Sequence, residues 1–597
     1  MRQDWRRMTT LVPLMIVGLA ALALAACGGD EPGTDPTATA TAPAEATSTP
    51  DGESTPGTAD PTATSEITEP GQQSGTLVHG SSEVGAASFV PFLGAVSDTY
   101  GFREPLVWRD TAPIPRLGDV RPDQSIAEAW EVDPDGSKIT FTIREGVPFH
   151  KGWGDVTAED VAWSHNNGLA EANLNNRSGF IGEYIDRWEA IDERTAVMHV
   201  EQPLSVRWDV EMSNQWRQTI AISSKKAYDE LGEEAANLEF AGTGPFEVTR
   251  WTTNEIIEAD ALPEHYRETA RVAHFRVVAI PEISSMVAAL QTGEVHIAEV
   301  PATSVAELEE EGITRRSLGA GTVMYTSFGG NYWAMEYQAT GETVFPRPGF
   351  NPDLPWIGDP RDEESMERAR KVREAMTIAI NRDELSEFVE AGLSSPAHTA
   401  VGFTPEDPQW KDEWLKPFDP DRARQLLAEA GYEDGFPVPF WAGRNINGYP
   451  QLATVMAAQW SDIGLRPSVE VTAYEVYRPN LINREMPMLY IHNDKQGDHD
   501  DPRGRLWSPE PGGANRAIEI SDEILEEHYY TSVVEPDASK RIEHNVALED
   551  YMSHWHLFVP MVNRTRHYMV RPEVTQWEPF TENFGNFNAP WTVVLQE

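Results

Sequence analysis

From Trp130 to Arg144 the chain alternates between apolar and polar positions. Trp130 and Val132 lead into Asp133-Pro134-Asp135-Gly136, and beyond that turn signal Ile139, Phe141 and Ile143 alternate with Thr140, Thr142 and Arg144. Period-two patterning on both sides of such a turn predicts a hairpin with one buried face. The pattern then changes. Thr157, with Asp160 three residues on, has the arrangement of a capping box and predicts a helix start. Further along, "AGTGPFEVTRWTTNEIIEAD" reads as a Gly-rich turn followed by strands. In "HFRVVAIPEISSMVAALQTGEVHIAEV", Phe275, Val277 and Ala279 alternate, Met286, Ala289 and Leu290 are helix-spaced, Gly293 ends the helix, and Val295 and Ile297 open another strand. That is a β-α-β unit and predicts a partly parallel sheet. Two helices follow in "SMERARKVREAMTIAINRDELSEFVEAG", the second capped by Asn381 with Glu384 at N3 and closed by Gly392. Asp419 and Pro420 begin another, which Gly431 ends. Helix then strand recurs over 450–472, where Gly464 separates them, and again in "ASKRIEHNVALEDYMSHWHLFVPMVNR". The alternation predicts an α/β protein with more than one lobe, and no fixed-period repeat is present.

The first 75 residues are different. Arg2, Arg6 and Arg7 precede an uncharged apolar run, Leu11 to Ala26, which Pro13 interrupts and which is short for a membrane span of about 20 residues. The run ends in Leu24-Ala25-Ala26-Cys27, and Cys27 is the chain's one cysteine. This resembles the lipobox of bacterial lipoproteins, which implies cleavage of a signal peptide over 1–26 and a lipid on the Cys27 sulfur. Residues 28–75 hold no Phe, Trp, Tyr, Lys or Arg and are rich in Thr, Ala, Pro, Gly, Ser and acids. Such a composition cannot bury enough apolar surface to offset chain entropy, so a disordered tether over 27–75 is expected. The net charge of −49 excludes nucleic acid as a partner and favours solubility outside the cell. With its thiol lipidated, the body has no disulfide available and must be stabilised by packing.

The segment "SIAEAWEVDPDGSKITFTIREGVPFHKGWGDVTAEDV" resembles the signature stretch of family 5 extracellular solute-binding proteins, the oligopeptide-, dipeptide- and nickel-binding components of ABC importers. The match is carried by Ala127, Glu128, Trp130, Arg144, Glu145, Gly146, Val147, Phe149, His150, Thr157, Ala158, Glu159, Asp160 and Val161. "GTGPF", "LQTGEVHIA", "KVREAMTIAINRDEL" and "FDPDRARQLLAEAGY" follow in the family's order. An insertion over 331–360 departs from it. The resemblance implies a type II periplasmic-binding-protein fold, with two lobes of central mixed β-sheets plus an extra domain. The expected partition is lobe I over 76–120, 243–325 and 561–597, the extra domain over 121–242, and lobe II over 326–560. It also implies a non-enzymatic, cofactor-free monomer, lipid-anchored on the outer side of the bacterial cell membrane. Closure of the lobes over a small solute, with a peptide as the expected cargo, would deliver that solute to ABC permease subunits.

Family peptide binders carry an Asp-x-x-Asp-Pro element whose first aspartate pairs with the ligand's ammonium. Asp498 and Asp501, followed by Pro502, fit that spacing, although Lys495 and Gln496 stand where the family has a tryptophan. A carboxylate in a water-poor crevice makes a strong charge-assisted bond to a cation. The same stretch can also be read as a solvated acidic loop, and His492, Asp494, Asp498 and His499 as a loose metal set; no metal site is assigned. Tyr325, Tyr332, Trp333 and Trp441 are the candidate aromatic walls, each with core packing as the alternative. His150 and His296 fall in framework motifs. The aromatics leave an oligosaccharide or opine-like cargo open. A sensor subunit of the same fold, or a lipid-anchored hydrolase, are readings from other classes. No G-x-S-x-G or P-loop motif supports catalysis.

Overall fold

In the computed structural model the hairpin forms as its pattern predicts. Ala127–Val132 pairs antiparallel with Lys138–Ile143, and the Gly136 amide closes the turn onto the Asp133 carbonyl at 2.8 Å. Two further strands, Thr195–Val200 and Ile185–Ala190, extend it to a four-stranded sheet. The helix Ala158–Gly168 packs on this sheet and begins with the expected capping box. The Thr157 amide and hydroxyl donate to the Asp160 carboxylate, and the Asp160 amide donates back to the Thr157 hydroxyl. Phe141, Ile143, Val161 and Trp188 lie in the core between them.

The model describes residues 73–87, 89–90, 100–110, 119–168, 185–200, 212–214, 220–330, 336–337, 342–343, 350–400, 402–444, 448–473, 476, 479–480, 486, 488–495, 524, 527–528, 531–535, 537–580 and 586–596. The chain divides into two units, Met1–Ile67 and Thr68–Glu597, and everything described lies in the second. Cys27 and the expected signal peptide lie outside the described residues, as do all but the last residues of the expected tether.

A second sheet carries both lobes. Its described strands run in the order Arg466–Thr472, Pro437–Gly443, Leu489–Lys495, Thr314–Ser327, Phe558–Val570, Ile297–Glu299, Thr76–Ser81, His274–Ala279, Ile256–Ala261 and Phe246–Thr252. The predicted β-α-β unit is present as His274–Ala279, the helix Ile283–Thr292 and Ile297–Glu299, but Thr76–Ser81 is inserted between its two strands, parallel to both. Pro437–Gly443 is parallel to both of its neighbours, and the remaining pairs are antiparallel, so the sheet is mixed. Gly80 suits this crowding: a Cβ there would lie 2.5 Å from the Met286 sulfur.

Two strands span the molecule. Thr314–Ser327 and Phe558–Val570, 14 and 13 residues long, pair antiparallel and contribute to both lobe cores. Leu318, Tyr568 and Val570 pack with Phe275, Trp577 and Trp591 in one core. Met324, Val559 and Met561 pack with Trp356, Phe440 and Trp460 in the other. Between these halves the register slips: Leu318 faces Arg566, but Thr322 faces Arg564. Gly319-Ala320-Gly321 stand opposite the single Thr565, so the bulge of two extra residues lies in the most permissive sequence of the strand.

Candidate functional site

At this junction lies a cavity of about 460 Å³. One side comes from Thr76–Ser81 and the loop after it, with Tyr100, Trp251, Glu299, Tyr568 and Phe587. The other side comes from Thr322, Met324, Arg444, Tyr449, Gln451 and Asn493, and Arg564 and Arg566 rise from the second spanning strand.

Each lining group has a local reason for its position. Side chains alternate along a strand, so Thr322 and Met324 look into the cavity while Val323 and Tyr325 point away from it. Arg564 and Arg566 share one face for the same reason. Arg566 Nη1 lies 2.9 Å from Glu299 on the neighbouring strand. Arg564 is held 3.7 Å from the buried carboxylate of Glu390. Gly448, at φ +83°, precedes the helix Tyr449–Asp462; a Cβ there would press within 3.2 Å of the Arg564 guanidinium. Its left-handed backbone brings the helix N-terminus to the cavity wall. The Tyr449 hydroxyl donates to Asn493 Oδ1 at 3.0 Å and fixes one edge of that wall. His79 stacks on Phe587 with ring centres 4.0 Å apart and has Nδ1 3.0 Å from the Ile297 carbonyl oxygen. Burial lowers its pKa to about 4, against a smaller upward push from that backbone contact, so the ring is neutral near pH 7.

The wall thus combines aromatic rings, three guanidiniums, the carboxylates of Glu83 and Glu299 and a helix N-terminus. This arrangement suits an amphipathic solute carrying at least one carboxylate.

Of the aromatic residues singled out from sequence, Tyr325 and Trp441 are described, and neither lines the cavity. Tyr325 is fully buried, edge-on to Phe558 at 4.9 Å and facing His492. Trp441 packs with Met486 and Tyr490, and its indole N–H donates to Glu470 at 2.8 Å. Tyr332, Trp333, Asp498, Asp501 and His499 lie outside the described residues. His492 is buried, and its Nδ1 takes the Asn493 amide at 2.7 Å. Among the described residues no three His, Cys, Asp or Glu side chains converge as metal ligands. His150 and His296 hold the framework: His150 Nε2 is 2.8 Å from the Gly244 carbonyl oxygen, and His296 Nδ1 accepts from the Val78 amide at 3.0 Å. What sequence reasoning missed was "NRTRHY" (563–568). Two arginines at period two, Arg564 and Arg566, signal a cationic face within the molecule.

A wider hollow of about 1200 Å³ lies on the extra domain, lined by Arg144, Arg194, Lys225 and Lys226 among several acids. Many of these charges neutralise one another, as in the pairs Arg194–Glu128 and Arg194–Glu145, at 2.5 and 2.7 Å.

A family model for bacterial extracellular solute-binding proteins, family 5 (middle region), matches residues 121–514. The glutathione-binding protein GsiB of Salmonella typhi is 25% identical over 359 residues, 59% of this chain and 61% of that relative's length. Among solved structures, the periplasmic binding protein DppA of Helicobacter pylori, in complex with the peptide STSA, superposes with a TM-score of 0.68 at 18% identity, covering 88% of this chain and 99% of that one. The oligopeptide-binding protein AppA of Bacillus subtilis, in complex with a nonapeptide, gives 0.67 at 16% identity, covering 88% and 100%. The type II periplasmic-binding-protein fold is shared with these structures.

Proposed function

Because this chain belongs to the bacterial extracellular solute-binding proteins of family 5, we propose that it captures a peptide in its interlobe cavity and delivers it to an ABC importer. The observation that carries this reading is the cavity wall. Its volume of about 460 Å³ falls in the small-ligand range of about 300–1,000 Å³. Tyr100, Tyr449 and Phe587 offer surface to apolar side chains, and Arg444, Arg564 and the helix start at Tyr449 offer charge to a terminal carboxylate. Asp498 follows five residues after Asn493, which lines the cavity, and in this reading it pairs with the peptide ammonium while Asp501 steadies it. The matched relative is named for glutathione, and the two solved structures described above are in complex with peptides, which supports the same class of cargo. Closure is a rotation of lobe I (76–120, 243–325, 561–597) against lobe II (326–560) about the Gly319-Ala320-Gly321 bulge, with the extra domain (121–242) carried along. The protein acts as a monomer, with no catalytic step and no cofactor, and a lipid on Cys27 holds it to the membrane after loss of residues 1–26.

The test is a thermal-shift screen against di- to octapeptides and oligosaccharides, since a ligand that binds only the native state raises Tm by mass action. Peptides are expected to raise it, Arg444→Ala to cut the affinity at least about tenfold, and Asp498→Asn to weaken peptides with a free amino terminus. Shifts with sugars alone would remove the peptide reading. Labelled palmitate entering the wild-type chain but not Cys27→Ser checks the anchor independently.

A further inference from the structure

Away from the cavity, two histidines meet. His528 Nδ1 and His544 Nδ1 lie 3.2 Å apart, His544 on the long helix Ala538–Trp555 and His528 on the stretch that precedes it. Their ring centres are 5.5 Å apart, longer than the nitrogen separation by about one ring width, so the two nitrogens face each other along the line of centres. Both rings are half-buried, open enough for a solute ion to reach. Burial and the neighbouring His528 lower the His544 pKa, against smaller upward pushes from the carboxylates of Glu535, Glu543 and Glu527.

We propose that His528 and His544 form a binding site for a divalent transition-metal ion, with Zn²⁺ as the reference case. Zinc binds imidazole nitrogen at about 2.0–2.1 Å, so two imidazoles on one tetrahedral ion stand about 3.3 Å apart, close to the separation found here. In the metal-free pair one nitrogen donates its hydrogen to the other. A small rotation about each Cβ–Cγ bond turns both Nδ1 atoms onto a common point; the donor ring gives up its Nδ1 proton and takes one from solvent on Nε2, so both rings stay neutral imidazoles and the ion replaces the shared hydrogen with no net proton release. Water completes the coordination sphere, and Glu527 or Glu543, both exposed at their positions, can swing in as a further ligand. Imidazole selects Zn²⁺, Ni²⁺ or Cu²⁺ over Mg²⁺ and Ca²⁺, which prefer all-oxygen shells. Occupancy would tie His544 on the long helix to His528.

The test is equilibrium dialysis of the full-length chain with Zn²⁺ in high salt and excess Mg²⁺, which suppresses loose binding to the acidic surface. One Zn²⁺ per chain is expected, weakened at least about tenfold in His528→Gln and in His544→Gln. As a readout independent of the variants' folding, the histidine ¹⁵N spectrum of the wild-type protein should show the Nδ1 resonances of these two rings moving together on adding Zn²⁺. Uptake that Mg²⁺ abolishes, uptake unchanged in both variants, or shifts confined to other histidines would each overturn the proposal.

Discussion

Arg267 is held by three neighbours. Its Nε and Nη2 reach Glu104 Oε1 at 3.0 and 2.6 Å, and its guanidinium carbon lies 3.8 Å from the Trp108 ring centre and 4.5 Å from that of Trp591. The Tyr266 hydroxyl donates to the other Glu104 oxygen. Burial pushes the Glu104 pKa up, yet Arg267, His265 and Tyr266 together outweigh it, and the net shift is downward. Removing one member of a buried ion pair leaves the other uncompensated, so Arg267→Ala should cost about 3–5 kcal/mol in a urea titration. Arg267→Lys keeps the charge but loses the plane that stacks on the two indoles. A second residue-scale effect depends on pH. His165, stacked on Trp188 at 4.3 Å, has its pKa lowered to about 4 by burial. Its folded value lies below its unfolded value of about 6.5, so the stability it contributes is complete above pH 6.5 and is lost as pH falls towards 4. That loss amounts to at most about 3 kcal/mol. The slope of Tm against pH between 6.5 and 4 should therefore flatten in His165→Gln. None of this was legible in the sequence: Glu104, Arg267 and Trp591 come from distant parts of the chain, and no local spacing joins them.

Elements were far more legible, because their signals are local. The Asn381 side chain accepts the Glu384 amide and the Asp419 side chain accepts the Arg422 amide, each at a helix start recognised from its capping residue. Asn381→Ala and Asp419→Ala should each lower stability by about 1 kcal/mol, a few degrees or less in Tm by calorimetry, with ligand affinity unchanged. Harder to read was which face of a strand serves the cavity. Thr314–Ser327 is apolar on both faces around Val323, Met324 and Tyr325, as a strand buried on both sides must be, so its composition does not say that Met324 faces the cavity and Tyr325 the core. Likewise, the β-α-β pattern was visible, but the insertion of Thr76–Ser81 between its strands was not, because that pairing joins positions as far apart as His79 and Ile297.

For the whole molecule, ordered motifs spread over the chain pointed to the architecture, whereas the cavity is assembled from at least six separated segments and needed coordinates. That assembly also constrains the order of events during synthesis. Thr76–Ser81 emerges early, but its neighbour Ile297–Glu299 is bordered on its other side by Phe558–Val570. Lobe I therefore cannot be completed until the ribosome has nearly finished, and contacts of such high sequence separation form slowly. A fragment ending at Trp555 should leave the amides of residues 297–299, which lose their partner strand, exchanging faster with deuterium than in the full-length chain. For most of its translation this polypeptide is an unfinished chain, a form that suits threading through a secretion pore.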